Sequence, residues 1–133
     1  MFYYFDNLII TGESSFDFLK PLSSAEHLVD FKTVNYSKAE DGDICILGVD
    51  IGSTTTKAVL IRKKDDSILA SVYLRTEGDP IGASKKCYKS ILEQIKGKKI
   101  KIVGLGTTGS GRHIAGLHAL TDSIYNEIIC HAT

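Results

Sequence analysis

The stretch LGVDIGSTTTKAVLI, residues 47–61, is the most informative part of this chain, because an apolar run ends there at an acid and a second begins after a short turn. Residues 44–50 form a continuous apolar run closed by Asp50, which predicts a strand covered on both faces. Glycine and hydroxyl residues at 52–54 predict a turn. Residues 56–62 predict a second strand, also covered on both faces, since apolar side chains occupy both sets of alternate positions. The sequence therefore predicts a β-hairpin that bends just after Asp50.

The bend at residues 52–55 combines a glycine with three hydroxyl side chains, which suits the binding of an anion. Successive backbone N–H groups in a tight glycine turn can converge on one anion. Asp50 would repel a phosphate held there unless a divalent cation lay between them, and Mg²⁺ bridges carboxylate and phosphate in this way. We expect Asp50 to bind Mg²⁺, and Lys57 to add positive charge unless strand alternation turns it away. The residues expected to bind phosphate at this bend are Gly52, Ser53, Thr54 and Thr55.

The short pattern D-x-G-[ST]-[ST] fits a hairpin turn without a ligand as well as it fits a phosphate site, so its context matters. The chain has no G-x-x-x-x-G-K-[ST] motif, which excludes a P-loop. Turn residues at 63–67 and an apolar run at 68–74 predict a third strand, and hence an antiparallel meander. A nucleotide phosphate held by a hairpin between such strands is typical of the actin, Hsp70 and sugar-kinase ATPases.

Asp79 and Pro80 predict the start of a helix. The Asp carboxylate can accept the first free N–H groups, and Pro at the first helical position has no N–H to satisfy. The helix is predicted to run to about residue 96 and to end at Gly97 in a left-handed cap. Its apolar stripe consists of Ile81, Ser84, Tyr88, Ile91, Leu92 and Ile95.

The last third of the chain alternates between apolar and glycine-rich segments. Residues 100–105 predict a fourth strand, and residues 104–111 predict a glycine-rich loop after it. Residues 113–120 predict a second helix, and residues 123–133 predict a third helical segment. This part of the sequence therefore predicts a strand, a loop and two helices in that order.

Residues 1–43 differ from the rest in lacking a regular pattern. Residues 7–11 predict a strand, and residues 23–26, Ser-Ser-Ala-Glu, resemble a capping box that opens a short helix. Residues 37–43 are polar and rich in turn formers, which predicts a linker. We therefore predict an N-terminal extension, or the tail of a preceding domain, at residues 1–43 and a separate lobe at residues 44–133.

The composition is that of one ordinary globular domain. The 133 residues include 43% hydrophobic residues, and 16 basic residues balance 16 acidic ones. This balance predicts binding to neither nucleic acid nor an anionic membrane, since both usually require clustered Lys and Arg. The three cysteines are widely spaced, and no apolar run is long enough to cross a bilayer. We therefore expect free thiols and a cytoplasmic location.

Three separated motifs, LGVDIGSTTTKAVLI, VGLGTTGSGRHIAG and NEIICHAT, together resemble the BadF/BadG/BcrA/BcrD ATPase family. That family includes activators of 2-hydroxyacyl-CoA dehydratases and subunits of benzoyl-CoA reductases. The resemblance covers residues 44–133 in the family's motif order. It implies an α/β fold of the ribonuclease-H-like (actin-like ATPase) kind, here a half-domain with a three-stranded antiparallel meander, a parallel fourth strand and flanking helices. It also implies ATP and Mg²⁺ as ligands.

The resemblance also implies roles for single residues. Asp50 would face Mg²⁺, and the loop after it would face the β- and γ-phosphates. The family's second glycine-rich loop matches residues 106–112, and the nucleotide-binding positions this implies are Gly106, Thr107, Thr108 and Gly109. Arg112 fits either a phosphate clamp or an ordinary helix end. Glu127, Cys130 and His131 match the family's E-x-x-C-H-A helix, without an assigned role, and the sequence identifies no catalytic residue.

Several motifs of the family do not occur in these 133 residues. They are the second phosphate motif of the type D-I-G-G-Q-D-x-K, an adenosine-contacting glycine motif, and the cysteines that resemble iron–sulfur ligands. We therefore expect the chain to be part of a longer ATPase and to be inactive without the remaining lobe. The implied partners are ATP, that lobe and a CoA-ester dehydratase or reductase that receives electrons. A homodimer and an iron–sulfur cluster in the longer protein stay open.

Other functions remain compatible with the same residues. A regulatory or assembly module could keep the fold without hydrolysis, and a kinase of a sugar or small acid could use the same phosphate site. A nuclease needs several carboxylates around two metals, and Asp50 has no evident companions for that. Cys130 and His131 are predicted to pack rather than to bind a metal, because neighbours on a helix point about 100° apart. Cys45 and Cys87 are predicted to be core or boundary residues.

Overall fold

The computed structural model describes residues 20–30 and 33–132. The chain divides into two compact units, residues 1–33 and 34–133. In the first unit a 3-10 helix runs over Leu22–Leu28, and the Ser24 hydroxyl donates to the Pro21 carbonyl at 2.7 Å. The helix begins without a capping side chain, so the predicted capping box is not formed. The strand predicted at residues 7–11 lies outside the described residues.

The second unit contains a four-stranded mixed sheet. The strands are β1 (Ile44–Ile51), β2 (Thr55–Arg62), β3 (Ser67–Arg75) and β4 (Lys101–Thr108), in the order β3-β2-β1-β4. Neighbouring strands β1, β2 and β3 are antiparallel, and β4 is parallel to β1. This arrangement confirms the predicted α/β half-domain, with its antiparallel meander and parallel fourth strand.

The two faces of this sheet are covered unequally. One face, here called the covered face, packs against helices α1 (Pro80–Gln94) and α2 (Arg112–Ala119). Its buried strand residues include Cys45, Leu47, Val49, Ile51, Ala58 and Leu60. The opposite face, here called the open face, carries Ile44, Ile46, Gly48, Asp50, Lys57 and Val59.

The prediction that β1 and β2 are covered on both faces is wrong for the described residues. Ile44 and Ile46 on the open face are 48% and 41% exposed, whereas Cys45 between them is fully buried. A continuous apolar run indicates that both faces of a strand avoid water, but it does not specify what covers them. Helices α1 and α2 both pack on the same side, which leaves the open face largely bare.

Helix α1 begins as predicted, because the Asp79 carboxylate accepts a hydrogen bond from the Gly82 N–H at 2.8 Å. Beyond its end, Gly97 has φ +75°. The predicted stripe is partly right, since Ser84 and Ile91 are buried. Leu92 is 60% exposed, however, and the fully buried Cys87 takes a place in the core. The cysteine is therefore a packing residue of this helix, as predicted.

Strand β4 is longer than the sequence predicts. It pairs with β1 as far as Asp50 and Thr108, so most of the predicted glycine-rich loop is extended strand. Glycine favours loops by propensity, but parallel pairing with β1 supplies hydrogen bonds that override it. The third helix, α3 (Glu127–His131), also starts later than predicted, because Ile124 forms a parallel bridge with Thr107.

Residues 34–43 make hydrogen bonds with the sheet and its connections. The Ser37 N–H donates to the Ile68 carbonyl at 2.9 Å, and the Gly42 N–H donates to the Lys99 carbonyl at 2.7 Å. The buried Arg62 guanidinium contacts the Asp43 carboxylate at 3.2 Å. The predicted boundary after residue 43 stays a prediction. Within the described ranges, no helix combines the length and apolar character needed to span a membrane.

Candidate phosphate-binding edge

The carboxyl ends of β1 and β4 lie side by side at one edge of the sheet, because the two strands are parallel neighbours. The hairpin that joins β1 to β2 bends at the same edge. Asp50, Thr108 and the two loops that follow them are therefore brought together. In α/β sheets the carboxyl ends of parallel strands are where ligands usually bind.

The β1–β2 hairpin is closed by a hydrogen bond from the Gly52 N–H to the Thr55 carbonyl at 2.9 Å. A Cβ atom at Gly52 would lie 2.9 Å from that same oxygen, so only glycine fits without a shift. The Gly52 N–H is thus used inside the bend and is not directed at a ligand. The amides of Ser53 and Thr54 are exposed and have no acceptor in the part of the chain that the structure describes.

The loop after β4 packs directly on the end of β1. Gly109 has φ +87°, and a Cβ there would lie 2.5 Å from both Asp50 Oδ1 and the Ile51 carbonyl oxygen. The Gly111 N–H donates to the Ile51 carbonyl at 2.8 Å. Both glycines are required by close approach, since any side chain at either position would collide with β1. This contact places the second glycine loop against Asp50.

Asp50 and Lys57 form an ion pair on the open face. Lys57 Nζ lies 2.9 Å from Asp50 Oδ2, and the side chains are 44% and 25% exposed, respectively. The hydrogen bond that Lys57 donates to Asp50 is the main cause that raises the pKa of Lys57. The Lys57 ammonium also lies 5.7 Å from the centroid of the Tyr73 ring, within cation–π range. Strand alternation therefore directs Lys57 toward Asp50, which settles the orientation that the sequence left open.

Thr108 completes the surroundings of Asp50 on the β4 side. Its Oγ1 atom is buried and has no hydrogen-bond partner among the described residues. A buried hydroxyl without a partner is uncommon in folded proteins and indicates a place where a ligand, ion or water completes the bonding. Thr108 is the β4 residue in register with Asp50. The carboxylate and the hydroxyl therefore belong to the same edge of the open face.

Two cavities meet at the Asp50–Lys57 pair. One, of about 620 Å³, extends over the open face and reaches Tyr73, Gly106 and Tyr125. The other, of about 520 Å³, lies between the β1–β2 hairpin and α3 and is lined by Glu127 and His131 as well as by the pair. Tyr73 and Tyr125 were not predicted from the sequence. Counting the register from the β2–β3 turn would have placed Val72 beside Lys57, because the bulge between Leu60 and Ile61 shifts the partner to Tyr73, and no local signal identifies Tyr125.

The remaining predicted residues lie at different depths. Gly106 lies two residues before Thr108 on the same face of β4, next to the Tyr125 ring. Thr107 is buried, and its hydroxyl donates to the Arg112 carbonyl at 3.0 Å. Thr55 is half-buried at the start of β2. Arg112 donates to the Gly109 carbonyl at 3.0 Å and so holds the loop. Asp50, Gly52, Lys57, Thr108 and Gly109 are thus brought together, whereas the Thr107 hydroxyl is directed at α2.

The thiols behave as ordinary cysteines in this structure. Cys45 and Cys87 are buried, and burial raises the pKa of both thiols. Cys130 is exposed on α3 and borders the larger cavity. The prediction that Cys130 and His131 pack is therefore wrong, since both side chains are exposed and α3 buries none of its residues. Across residues 20–30 and 33–132, no group of three or more His, Cys, Asp or Glu side chains could hold a metal ion. A cation at this edge would therefore need ligands from a bound molecule as well.

The mixed sheet, its flanking helices and the glycine loops at its edge define an α/β lobe. The sequence model of the BadF/BadG/BcrA/BcrD ATPase family matches residues 47–133, and the chain belongs to that family. It is 30% identical over 112 residues to the uncharacterized protein MJ0800 of Methanocaldococcus jannaschii. That match covers 84% of this chain and 26% of the relative, so the chain spans about a quarter of the relative's length.

A structural neighbour is the crystal structure of the Aquifex aeolicus member of the Ppx/GppA protein family. The two share 12% sequence identity with a TM-score of 0.39, and the similarity covers 62% of this chain and 35% of that one. The membership in the ATPase family rests on the sequence model instead. Nucleotide binding is therefore the function that the family assigns to this lobe.

Proposed function

We propose that this chain binds the phosphates of ATP together with Mg²⁺ at the edge formed by the β1–β2 hairpin and the loop after β4. The observation that carries the proposal is the position of Asp50, the penultimate residue of β1, between the two glycine loops. The exposed amides of Ser53 and Thr54 supply donors for phosphate oxygens. Lys57, paired with Asp50, supplies a positive charge at the same edge.

The residues around Asp50 fit a magnesium ion of the kind that nucleotides bring with them. Mg²⁺ usually takes one or two protein oxygens and completes its shell with waters and phosphate oxygens. Asp50 offers a carboxylate, and the unpartnered Thr108 hydroxyl offers a further oxygen nearby. Among the described residues no group of three or more His, Cys, Asp or Glu side chains could hold a metal ion, which suits this mode, in which the nucleotide supplies much of the shell. When bound, the ion would neutralise the charge shared by carboxylate and phosphate.

The chain's own contribution to phosphoryl chemistry is positioning and electrostatics. Gly109 and Gly111 hold the second loop against β1, which keeps the edge rigid. Fixed amides at such an edge stabilise the negative charge that develops during transfer, since they need not reorient. Gly106 and Thr107 support this edge from within the sheet rather than from its surface.

We further propose that ATP hydrolysis serves a partner enzyme, as in the activators of CoA-ester dehydratases and reductases that the family includes. In that role, binding and hydrolysis would drive a conformational change that assists electron transfer to the partner. Membership in the ATPase family supports this assignment. Release of inorganic phosphate, stimulated by a dehydratase or reductase, is the expected outcome. Phosphate appearing on a sugar or small acid would instead identify a kinase.

The binding proposal is tested with Asp50→Asn, measured by calorimetric titration of Mg-ATP into this chain. Loss of the carboxylate should weaken Mg-ATP binding by at least about tenfold, or about 1.4 kcal/mol. Asp66→Asn is the matched control, because Asp66 is an exposed turn residue with φ 54°, a conformation that Asn tolerates. Unchanged affinity in Asp50→Asn would overturn the proposed place of the metal.

A further inference from the structure

Four side chains form a row across the whole sheet on its open face. Thr108, Asp50, Lys57 and Tyr73 are successive register partners on β4, β1, β2 and β3. All four line the cavity of about 620 Å³. Directly opposite residues on one face of an antiparallel pair lie about 4.5–5.5 Å apart at Cβ, so Asp50, Lys57 and Tyr73 are close enough to interact. The row is called here the cross-strand row.

Lys57 lies between two partners within this row. Its ammonium donates to Asp50 Oδ2 at 2.9 Å and lies 5.7 Å from the Tyr73 ring centroid. The side chain is 44% exposed and carries four rotatable carbons, so it can turn without disturbing the core. The ammonium therefore occupies one oxygen of the carboxylate that the proposed function gives to Mg²⁺.

A cation and this ammonium compete for the same carboxylate. Lys57 already neutralises Asp50, so a divalent cation arriving alone would face a positive charge instead of a free anion. A nucleotide changes this balance, because its phosphates offer the ammonium a new anionic partner. The ion pair thus opposes binding of the metal ion alone, but it favours binding of the metal ion together with the nucleotide.

We propose that Lys57 exchanges partners when ligand binds: its ammonium holds Asp50 in the free chain and moves to a phosphate oxygen when Mg²⁺ takes the carboxylate. This inference rests on the proposed function and makes Lys57 a positioning residue that couples metal and nucleotide binding. Tyr73 stands on the opposite side of Lys57 from Asp50, which keeps the released ammonium over the sheet. This coupling predicts that removal of the Lys57 ammonium strengthens binding of the metal ion alone and weakens binding of the metal with the nucleotide.

The test compares the chain with Lys57→Met, using Mn²⁺ alone followed by electron paramagnetic resonance and Mg-ATP followed by calorimetry. We expect Lys57→Met to bind Mn²⁺ alone at least about fivefold more tightly, and Mg-ATP at least about fivefold more weakly. The gain for Mn²⁺ should disappear in the double variant Asp50→Asn, Lys57→Met. Lys89→Met, which removes the same charge from the exposed side of α1, should change neither affinity by more than about twofold.

The possible outcomes separate this inference from the proposed function. If the unaltered chain binds Mg-ATP but Lys57→Met shifts both affinities in the same direction, or leaves that for Mn²⁺ unchanged, the exchange is overturned and the proposed function stands. If the unaltered chain does not bind Mg-ATP at all, the proposed function fails and the exchange fails with it. Opposite shifts, together with the loss of the Mn²⁺ gain in the double variant, would support the exchange.

Discussion

The covered face and the open face of the sheet divide the work of this chain between stability and chemistry. On the covered face, every second residue of β1 and β2, for example Ile51 and Leu60, is buried against α1 and α2. The open face carries the Asp50–Lys57 pair and the unpartnered Thr108 hydroxyl. The strands alternate between the two roles residue by residue, since successive side chains point to opposite faces.

The difference shows how a small lobe can hold a polar site without weakening its core. On the covered face, Thr56 Oγ1 lies 2.9 Å from Thr76 Oγ1, whereas the buried Tyr88 hydroxyl of α1 has no hydrogen-bond partner among the described residues. At the sheet edge, the amides of Ser53 and Thr54 keep bonding capacity for a ligand. Unmet hydrogen bonds cost less where water reaches them, so the exposed residues Ser53 and Thr54 can keep such donors at little cost.

The largest expected effect comes from removing a core side chain of the covered face. Leu60 is fully buried, so Leu60→Ala should lower the free energy of unfolding by about 3–5 kcal/mol through lost burial and a residual cavity. Ile46→Ala on the open face, where Ile46 is 41% exposed, should cost only about 1 kcal/mol. Denaturant unfolding measures both variants. Equal losses would show that the open face is packed as tightly as the covered one.

A smaller effect is expected where the edge of the open face meets the second glycine loop. Gly109 and Gly42 have nearly the same φ, +87° and +89°, but a Cβ at Gly42 meets no atom within 4 Å. Gly42→Ala should therefore cost about 1–2 kcal/mol from the backbone conformation alone. Gly109→Ala should cost about 2–4 kcal/mol, because the new methyl group would also collide with Asp50 and Ile51.

The same pair of variants tests the ligand edge. Gly109→Ala should also weaken Mg-ATP binding several-fold, because the displaced loop moves the Asp50 carboxylate, whereas Gly42→Ala should leave the affinity unchanged. Calorimetry under conditions in which both variants remain folded measures this difference. Equal stability losses, or equal affinities, would show that the loop after β4 does not position Asp50.

The parts of the fold that depend on neighbouring residues were predictable from the sequence. The hairpin after Asp50 and the start of α1 at Asp79 follow from turn and capping preferences, which act over a few positions. The bare open face and the length of β4 were not predicted, because both depend on where distant segments pack. The glycines of β4 favour a loop locally, and only pairing with β1 makes them a strand.

The candidate site divides in the same way. Asp50 and Gly52 were predicted together, since they are adjacent in the chain and at one bend. The approach of Gly109 to Asp50, and the hydroxyl of Thr108 beside it, arise from contacts between segments far apart in sequence. The direction of the Lys57 side chain was only partly predictable, because it depends on a strand register that the hairpin length determines. The residues at the bend were therefore predictable from the sequence, whereas the contacts that distant segments make with them were not.

The smallest expected effect concerns the ion pairs made by two residues of β2. Lys57 pairs with Asp50 on the open face, and Arg62, which alternation places on the covered face, pairs with Asp65. Hydrogen bonds from Arg62 lower the pKa of Asp65 to about 2, below the value of about 3.9 for an unfolded chain. Asp65 therefore stabilises the fold above about pH 4, and this contribution is lost as the pH falls toward about 2.

Asp65→Asn should accordingly reduce the steepness with which stability falls between about pH 4 and pH 2, and lower stability slightly at neutral pH. Asp66→Asn, which removes a neighbouring carboxylate that accepts none of the hydrogen bonds of Arg62, should leave the steepness nearly unchanged. Denaturant midpoints measured across this pH range compare the two variants. An equally steep loss in Asp65→Asn would show that Arg62 is held by Asp43 instead, and that the anchoring of β2 depends on the residues before β1.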